Sequence, residues 1–564
     1  MSVRFPDEFD LADYFLFARE REGLGTKVAL RFGERSWTYA QVAERSRALA
    51  RFLLVGGLVP EQRVYIVLPD TPAFAWSIFG TLAAGGVVTM GNPISPVEDL
   101  RYVLEYVRAS VLITTPNVAA QLAPYIGQLP HLQLTLVAPD APTGADPEAT
   151  CDVPSNVHGV SLNHAIARGR ESQIKLPAIH RDDPAIWLFT SGSTGKPKAA
   201  MHSHRDFAWN TVVYAKHAIG YRADDVTVSV PRLFFGYATG TNLWFPFAVG
   251  ATVGLFSERP TAETIAAAIT HYRATVVTNV PTMLGKLLDL DDERRARGES
   301  PLDLSSVRFH LSAGEALPEP LLRRFTDRFG PKTEAGGLGP TAGINVYDGI
   351  GSAEMFHIYC TNRPGDVKPG SLGRVVEGYE LAILPEDAVG PGAPRLPPGE
   401  IGILWVKGDS VAHGYFRDRD NSWKTFHGHW CRTGDLFSID EQGYLYFQGR
   451  ADDLFKVGGV FVAPREVEEC MLAHPAVSMC AVIPAEAEGL TKPKAVVVLR
   501  PEARDRDRAA LAAELKDHVQ GKLSKHKYPR TIVFVDDLPK NDRGKVDKKT
   551  LLEREKLGQL PAGD

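Results

Sequence analysis

At 564 residues the chain is too long for a single compact core and should divide into two or more domains. Hydrophobic residues make up 44% and charged residues 23%, the balance of a folded globular protein and not of a disordered or fibrous one. A formal net charge of -5 gives no electrostatic reason to expect nucleic acid as a partner.

The five cysteines, Cys151, Cys360, Cys431, Cys470 and Cys480, form no close metal-type pair, and their odd number argues against a disulfide framework. Residues Met1 to Glu8 lack the apolar core of a signal peptide, so the cytoplasm is the expected compartment.

In chain order, Val64–Leu68 predicts a strand. The uncharged run Phe74 to Pro93 contains Gly80, Gly85, Gly86 and Gly91, which predicts a buried helix, a turn and a strand in place of a membrane span. A helix over Glu98–Val107 and strands at Val111–Thr115, Ala185–Phe189, Ala251–Phe256 and Thr275–Asn279 continue the alternation, which favours α/β layering. Pro139–Pro154 and Pro385–Glu400 read as surface excursions. Composition shifts near Gly449–Asp453, and the lysine-rich remainder carries strands at Ala495–Leu499 and Ile532–Val535. The expected fold class is therefore α/β: a large N-terminal multi-subdomain α/β domain at 1–449, a linker at 450–453, and a small C-terminal α+β domain at 454–564.

The most informative segment is Thr190-Ser191-Gly192-Ser193-Thr194-Gly195-Lys196-Pro197-Lys198. Its free N–H groups, hydroxyls and positive charge are the chemistry of a loop that holds a polyphosphate. Only Ser193 and Thr194 separate Gly192 from Gly195, and Pro197 follows Lys196, so it is not the strand-to-helix phosphate loop of common nucleotidases. The loop is expected to stay mobile and not to cap a helix. A plain Gly-Ser-Thr linker fits poorly beside the apolar strand that precedes it.

Further motifs follow in order: Ser312 to Pro318, Asp348 to Glu354, Trp430 to Asp435, Gly449 to Asp452, and Leu538 to Lys545. Together with the loop they resemble the acyl-adenylate-forming superfamily, which unites acyl-CoA synthetases, nonribosomal adenylation domains and firefly-type luciferases. The resemblance runs from about residue 10 to residue 553. It implies that a carboxylate is joined to the α-phosphate of ATP, pyrophosphate leaves, and the acyl group passes to a thiol. Such catalysis is mostly positioning and electrostatics.

By that resemblance Thr190, Ser191, Gly192, Ser193, Thr194, Gly195 and Lys198 grip the β- and γ-phosphates. Gly314, Glu315 and Ala316 line the base, Asp348 accepts from the adenine amino group, and Gly349 and Ile350 complete that wall. Asp435 binds the ribose hydroxyls and Arg450 makes a ribose or phosphate contact. Glu354 ligates Mg²⁺, a hard cation suited to oxygen donors. Lys545 is the expected adenylation lysine, bridging carboxylate and phosphate, although Lys540, Lys545, Lys548 and Lys549 also fit a solvated basic tail. The family rotates its C-terminal domain about a hinge, here Asp452, to exchange one catalytic set for another. Rotation would bring Lys456 to the active site, with Gly458 and Gly459 lining a thiol tunnel.

Among subfamilies the chain is most similar to benzoate–CoA ligases and related aryl-CoA ligases, on Leu233–Tyr237 and Asp348–Ile358. That likeness implies a flat slot for an aromatic ring, lined by Gly236, Tyr237, Gly351, His357 and Ile358. His357 fits equally well as a core histidine bonded to backbone. Phe235 stands where many relatives have a histidine gating the carboxylate, which makes this gate apolar.

Three departures stand out. Ala353 replaces a phosphate-bonding threonine, a loss of about 1 kcal/mol unless Ser352 or water substitutes. Ala199 replaces a glycine and should stiffen the turn after the loop. Gly236 replaces an alanine, opening space for an amino- or hydroxybenzoate.

The expected partners are a small aromatic carboxylic acid, ATP with Mg²⁺, and coenzyme A, in a monomer or homodimer, with no nucleic acid and no membrane. The alternatives are loading of a carrier-protein phosphopantetheine, a medium-chain fatty acid as substrate, and a non-catalytic nucleotide-binding protein.

Overall fold

The computed structural model describes residues 3–149, 151–191, 196–330, 345–450, 455–457, 460–462, 464–487, 490–540 and 546–561. The chain divides into two compact units, Met1–Leu381 with Val406–Arg432, and Ala382–Trp405 with Thr433–Asp564.

The first unit holds two sheets built from short strands, several of them fully buried. One has seven strands among the described residues, in the order Gly159–Ser161, Leu134–Val137, Val111–Thr114, Arg63–Val67, Val87–Met90, Pro184–Ser191 and Pro197–Ser203. All neighbours in it pair parallel except the last two, which form an antiparallel hairpin. The other has nine strands among the described residues: Arg374–Val375, Ile358–Thr361, Val346–Gly351, Phe309–Ser312, Val276–Asn279, Val226–Ser229, Thr252–Leu255, Val28–Phe32 and Arg35–Thr38. Its interior is parallel and its two ends are antiparallel.

Every residue of Val87–Met90, Val111–Thr114 and Thr252–Leu255 is buried, as expected where helices cover both faces of a parallel sheet. The helix Pro72–Ala83 is buried at all positions, and its proline sits in the first turn, where a missing N–H costs no bond. A strand, Val87–Met90, follows after Gly85 at φ +76°, so the run from Phe74 is helix, turn and strand as its glycines predict. The predicted strands of this unit lie within one or two residues of those observed, and the helix expected at 98–107 is Val97–Tyr106. No helix among the described residues is long and apolar enough to cross a membrane.

Pro139–Pro154 carries no helix or strand among its described residues, but side-chain bonds pin it to the rest of the unit. Glu148 accepts from both Nε and Nη2 of Arg45, and Thr143 N donates to Glu258.

In the second unit a three-stranded sheet, Val477–Ala487, Leu490–Leu499 and Thr531–Phe534, carries helices Pro464–Leu472, Arg508–Gln520 and Lys548–Lys556. Ala495, Val497 and Leu499 join one apolar cluster and Val496 and Val498 another, the period-two alternation of a sheet covered on both faces. The mixed α/β fold class with a separate C-terminal domain is as the sequence predicts. The units, however, are drawn differently from a cut at 449. Residues 382–405 and 433–450 are bonded to each other, Thr433 Oγ1 donating to Leu404 O and Gly399 N to Ile439 O, and the Arg465 guanidinium of the C-terminal part lies 4.5 Å over the Phe447 ring.

Candidate active site

The loop expected to hold phosphate joins the hairpin strands Pro184–Ser191 and Pro197–Ser203, with Thr190 opposite Lys198 and Ser191 opposite Pro197. A strand follows the loop, not a helix, in keeping with proline at its start. Lys198 Nζ lies 3.5 Å from Asp418 Oδ2 and 5.4 Å over the ring of Tyr415. Ala199 is not in a turn. It sits in the second strand opposite Phe189, fully buried against Trp187 and Phe416, so its methyl serves packing and the expectation of a stiffened turn is corrected.

In the nine-stranded sheet the candidate residues gather at and just beyond the carboxyl ends of parallel strands, where open α/β sheets place their ligands. Ser312 pairs with Asp348, and Gly314 beyond it turns at φ +89°. Glu315 accepts from Thr282 Oγ1 at 2.8 Å, and Ala316 is half-buried beside it. Asp348 is buried, and its carbonyl accepts from Asn362 N at 2.8 Å. Gly349 and Gly351 allow close approach: a methyl at Gly349 would meet Cys360 O at 2.8 Å, and one at Gly351 would meet His357 O at 2.3 Å. Ile350 lies between them, half-buried and paired with Cys360.

The strand ends in the short helix Ala353–Met355. Glu354 Oε1 accepts from the Tyr415 hydroxyl at 2.8 Å, and Glu354 O accepts from Ala412 N at 2.8 Å. Burial, then the charge of Glu354, pushes the Tyr415 hydroxyl far above its ordinary value, so Tyr415 stays a donor. Ala353 packs against Ala200, Ala412 and Tyr415, while Ser352 Oγ is buried without a hydrogen-bond partner among the described residues.

Next comes the expected acid slot. Phe235 precedes the short helix Gly236–Thr239, and its ring lies 4.3 Å from that of Phe234. Ile358 is buried, and its carbonyl accepts from Asn210 Nδ2. His357 is buried with Nε2 3.0 Å from Tyr237 O, so the core-histidine reading is correct for that nitrogen. Burial pushes its pKa down to about 4 against a small upward pull from that bond, leaving a neutral ring that donates through Nε2. Its Nδ1 and the Tyr237 hydroxyl are both buried without a hydrogen-bond partner among the described residues. The space expected beside Gly236 is not open: an added methyl would lie 2.9 Å from Leu188 Cδ1, so Leu188 already occupies it.

The other candidates belong to the second unit. Asp435 and Arg450 face each other across an antiparallel pair, with Arg450 Nε 3.5 Å from Asp435 Oδ1. Lys456 lies in Phe455–Val457, hairpin partner of Val460–Val462. Gly192, Ser193, Thr194, Gly195, Asp452, Gly458, Gly459 and Lys545 lie outside the described residues.

A family model for AMP-binding enzymes matches residues 17–416, and one for the AMP-binding enzyme C-terminal domain matches 466–545. The chain belongs to the AMP-binding enzyme family. It is 35% identical over 549 residues to a benzoate–CoA ligase of Thauera aromatica, covering 97% of this chain and 96% of that one. A crystal structure of an anthranilate CoA ligase in complex with anthranoyl-AMP superposes with a TM-score of 0.85 at 32% identity, covering 98% of each chain. A benzoate CoA ligase from Burkholderia xenovorans gives a TM-score of 0.81 at 34% identity, covering 96% of this chain and 99% of that one.

In this AMP-binding enzyme several contacts were invisible to sequence reasoning. Tyr415, Asp418, His202 and Leu188 all touch candidate residues, yet none stands in a motif at readable spacing. The donor set also suits magnesium. Glu354 offers one hard carboxylate with Oε1 held by Tyr415, and Mg²⁺ usually takes one or two carboxylates plus substrate phosphate oxygens. Among the described residues no group of three or more His, Cys, Asp or Glu could form an all-protein cage.

Proposed function

We propose that this AMP-binding enzyme is an aryl-CoA ligase acting on benzoate or a substituted benzoate such as aminobenzoate. A carboxylate oxygen attacks the α-phosphorus of ATP, the α–β anhydride bond breaks and pyrophosphate leaves. The thiol sulfur of coenzyme A then attacks the acyl carbon, the thiol proton is lost, and AMP departs.

In this reading the Thr190–Lys198 hairpin holds the β- and γ-phosphates, and Gly314–Ala316 with Asp348–Ile350 hold the base. Asp435 and Arg450 bind ribose and phosphate. Glu354 would hold Mg²⁺, which neutralises phosphate charge. Lys545 serves adenylation, and Asp452 is the hinge that turns Lys456, Gly458 and Gly459 toward the thiol. The cytoplasm is the proposed compartment, in keeping with five free cysteines.

The observation that carries the reading is the continuity of one segment. Gly351 to Ile358 bears both the Glu354 carboxylate and the buried walls His357 and Ile358, while Tyr415 ties Glu354 to the strand of Lys198. A substituted ring is supported by His357 Nδ1, a buried acceptor that an amino or hydroxyl substituent would satisfy and a bare ring would leave unpaired.

Pyrophosphate release measured with benzoate, aminobenzoates and hydroxybenzoates, followed by coenzyme A or a phosphopantetheinyl carrier protein, tests the proposal. Release driven by an aromatic acid and thioester formation on free coenzyme A are expected. Release driven only by fatty acids, or acyl transfer only to the carrier, contradicts it.

A further inference from the structure

We infer that His202, paired with Asp206, is a positioning residue that fixes the Ala353–Glu354 peptide and thereby aims the Glu354 carboxylate. This rests on the reading of Glu354 as the ligand for magnesium and phosphate.

His202 is the penultimate residue of the strand Pro197–Ser203, and its side chain is fully buried. Its Nδ1 lies 3.1 Å from Asp206 Oδ2 and its Nε2 2.6 Å from the carbonyl oxygen of Ala353. Asp206 also accepts from Ser203 N at 3.0 Å and from Ser203 Oγ at 2.8 Å, so both of its oxygens are held in place. A carbonyl can only accept. Nε2 of His202 is therefore the donor of that bond, and Asp206 beside Nδ1 fixes the plane of the ring.

The segment it grips is strained. Phe356 holds φ +66° and ψ −59°, and His357 N donates to Met355 O at 2.9 Å. That is a γ-turn with positive φ at its centre, a rare conformation for a buried aromatic residue. Such a conformation persists only where its surroundings over-determine it. Here every carbonyl from Ala353 to Met355 has a partner from elsewhere in the unit: His202 on Ala353, Ala412 N on Glu354 and Ser410 Oγ on Met355. Of these three only the His202 donor is itself backed by a carboxylate. It also acts at the residue where this chain carries a methyl in place of a hydroxyl, so Ala353 cannot anchor itself through its side chain.

Two variants separate the bonds of His202. An Asn amide nitrogen falls near the place of Nδ1 and a Gln amide nitrogen near that of Nε2. H202N thus keeps the Asp206 contact and loses Ala353, while H202Q does the reverse. We expect H202N to lower kcat for acid-dependent pyrophosphate release about tenfold and to raise the KM for Mg·ATP, with the KM for the aromatic acid unchanged. H202Q should recover most of that loss despite a lower melting temperature. If H202N keeps the parent kcat and Mg·ATP KM, or if both variants lose activity only in proportion to their unfolded fraction, the inference is overturned.

E354Q, measured alongside, separates the two levels of the argument. An inactive E354Q with a fully active H202N sinks this inference alone, whereas a fully active E354Q sinks the reading of Glu354 on which it rests. Where H202N does not fold, selective ¹⁵N-histidine NMR of the unsubstituted protein decides: a protonated Nε2 on His202 supports the inference and an unprotonated Nε2 overturns it.

Discussion

Tyr415 donates its hydroxyl proton to Glu354 Oε1 at 2.8 Å while Lys198 Nζ lies 5.4 Å over its ring, so one phenol joins the expected phosphate hairpin to the expected magnesium carboxylate. A hydrogen bond to an ionised group contributes about 1.5–3 kcal/mol. Tyr415→Phe keeps the ring and removes only that bond. It should lower acid-dependent pyrophosphate release by about tenfold or more and raise the Mg²⁺ concentration for half-maximal rate. A magnesium titration of the initial rate checks this, with a melting curve to show that the fold is intact.

Gly236 and Leu188 share one space. A methyl at Gly236 would come within 2.9 Å of Leu188 Cδ1, so Gly236→Ala overpacks the junction between the strand Pro184–Ser191 and the short helix Gly236–Thr239. The expected cost is about 1–3 kcal/mol. Leu188→Ala should cancel most of that cost in the double variant, a coupling that a double-mutant cycle of unfolding free energies measures directly. Leu188→Ala alone should raise turnover of ring-substituted benzoates relative to benzoate, read from kcat/KM across a panel of acids.

His357 makes stability depend on acid. Burial holds its folded pKa at about 4, below the ordinary value of 6.5. Below pH 6.5 the unfolded chain takes up a proton that the folded protein does not, so stability is lost as pH falls from about 6.5 to about 4. The loss from this one ring amounts to about 3 kcal/mol. His357→Gln should therefore show a shallower fall in unfolding free energy across that window, measured by denaturant unfolding at a series of pH values. Asp70, raised by burial to about 6, acts with the opposite sign and is common to both proteins, so the difference between parent and variant isolates His357.

The legible parts of this molecule were those whose physics is local. Val87–Met90 and Val111–Thr114 declare themselves as short apolar runs because a parallel sheet buries both faces. The motifs around Gly192, Gly314 and Glu354 are contiguous, and so survive in one dimension. What could not be read is set by pairing over distance. The strand Pro197–Ser203 exists because it pairs with Pro184–Ser191, so Ala199 looked like a turn residue when taken alone. His202 reaches Ala353 across 151 positions and Tyr415 reaches Glu354 across 61, and nothing in the spacing of those residues announces either bond. The same holds for 382–405 and 433–450, which join each other through Thr433 with Leu404 and the C-terminal part through Arg465 over Phe447. The Gly236 reading failed for a related reason: a glycine shows that a methyl is missing, but not that Leu188 fills the gap.

The central claim is that this chain adenylates an aromatic acid, with Lys545 drawing carboxylate and phosphate together, and then hands the acyl group to a thiol. Pyrophosphate release by the parent and by Lys545→Ala, assayed with benzoate, aminobenzoates and hydroxybenzoates before and after coenzyme A is added, tests it most directly. Release by the parent that requires an aromatic acid, a thioester product once coenzyme A is present, and loss of release in Lys545→Ala are the predicted results. No acid-dependent release with any aromatic acid, or undiminished release from Lys545→Ala, would contradict the account.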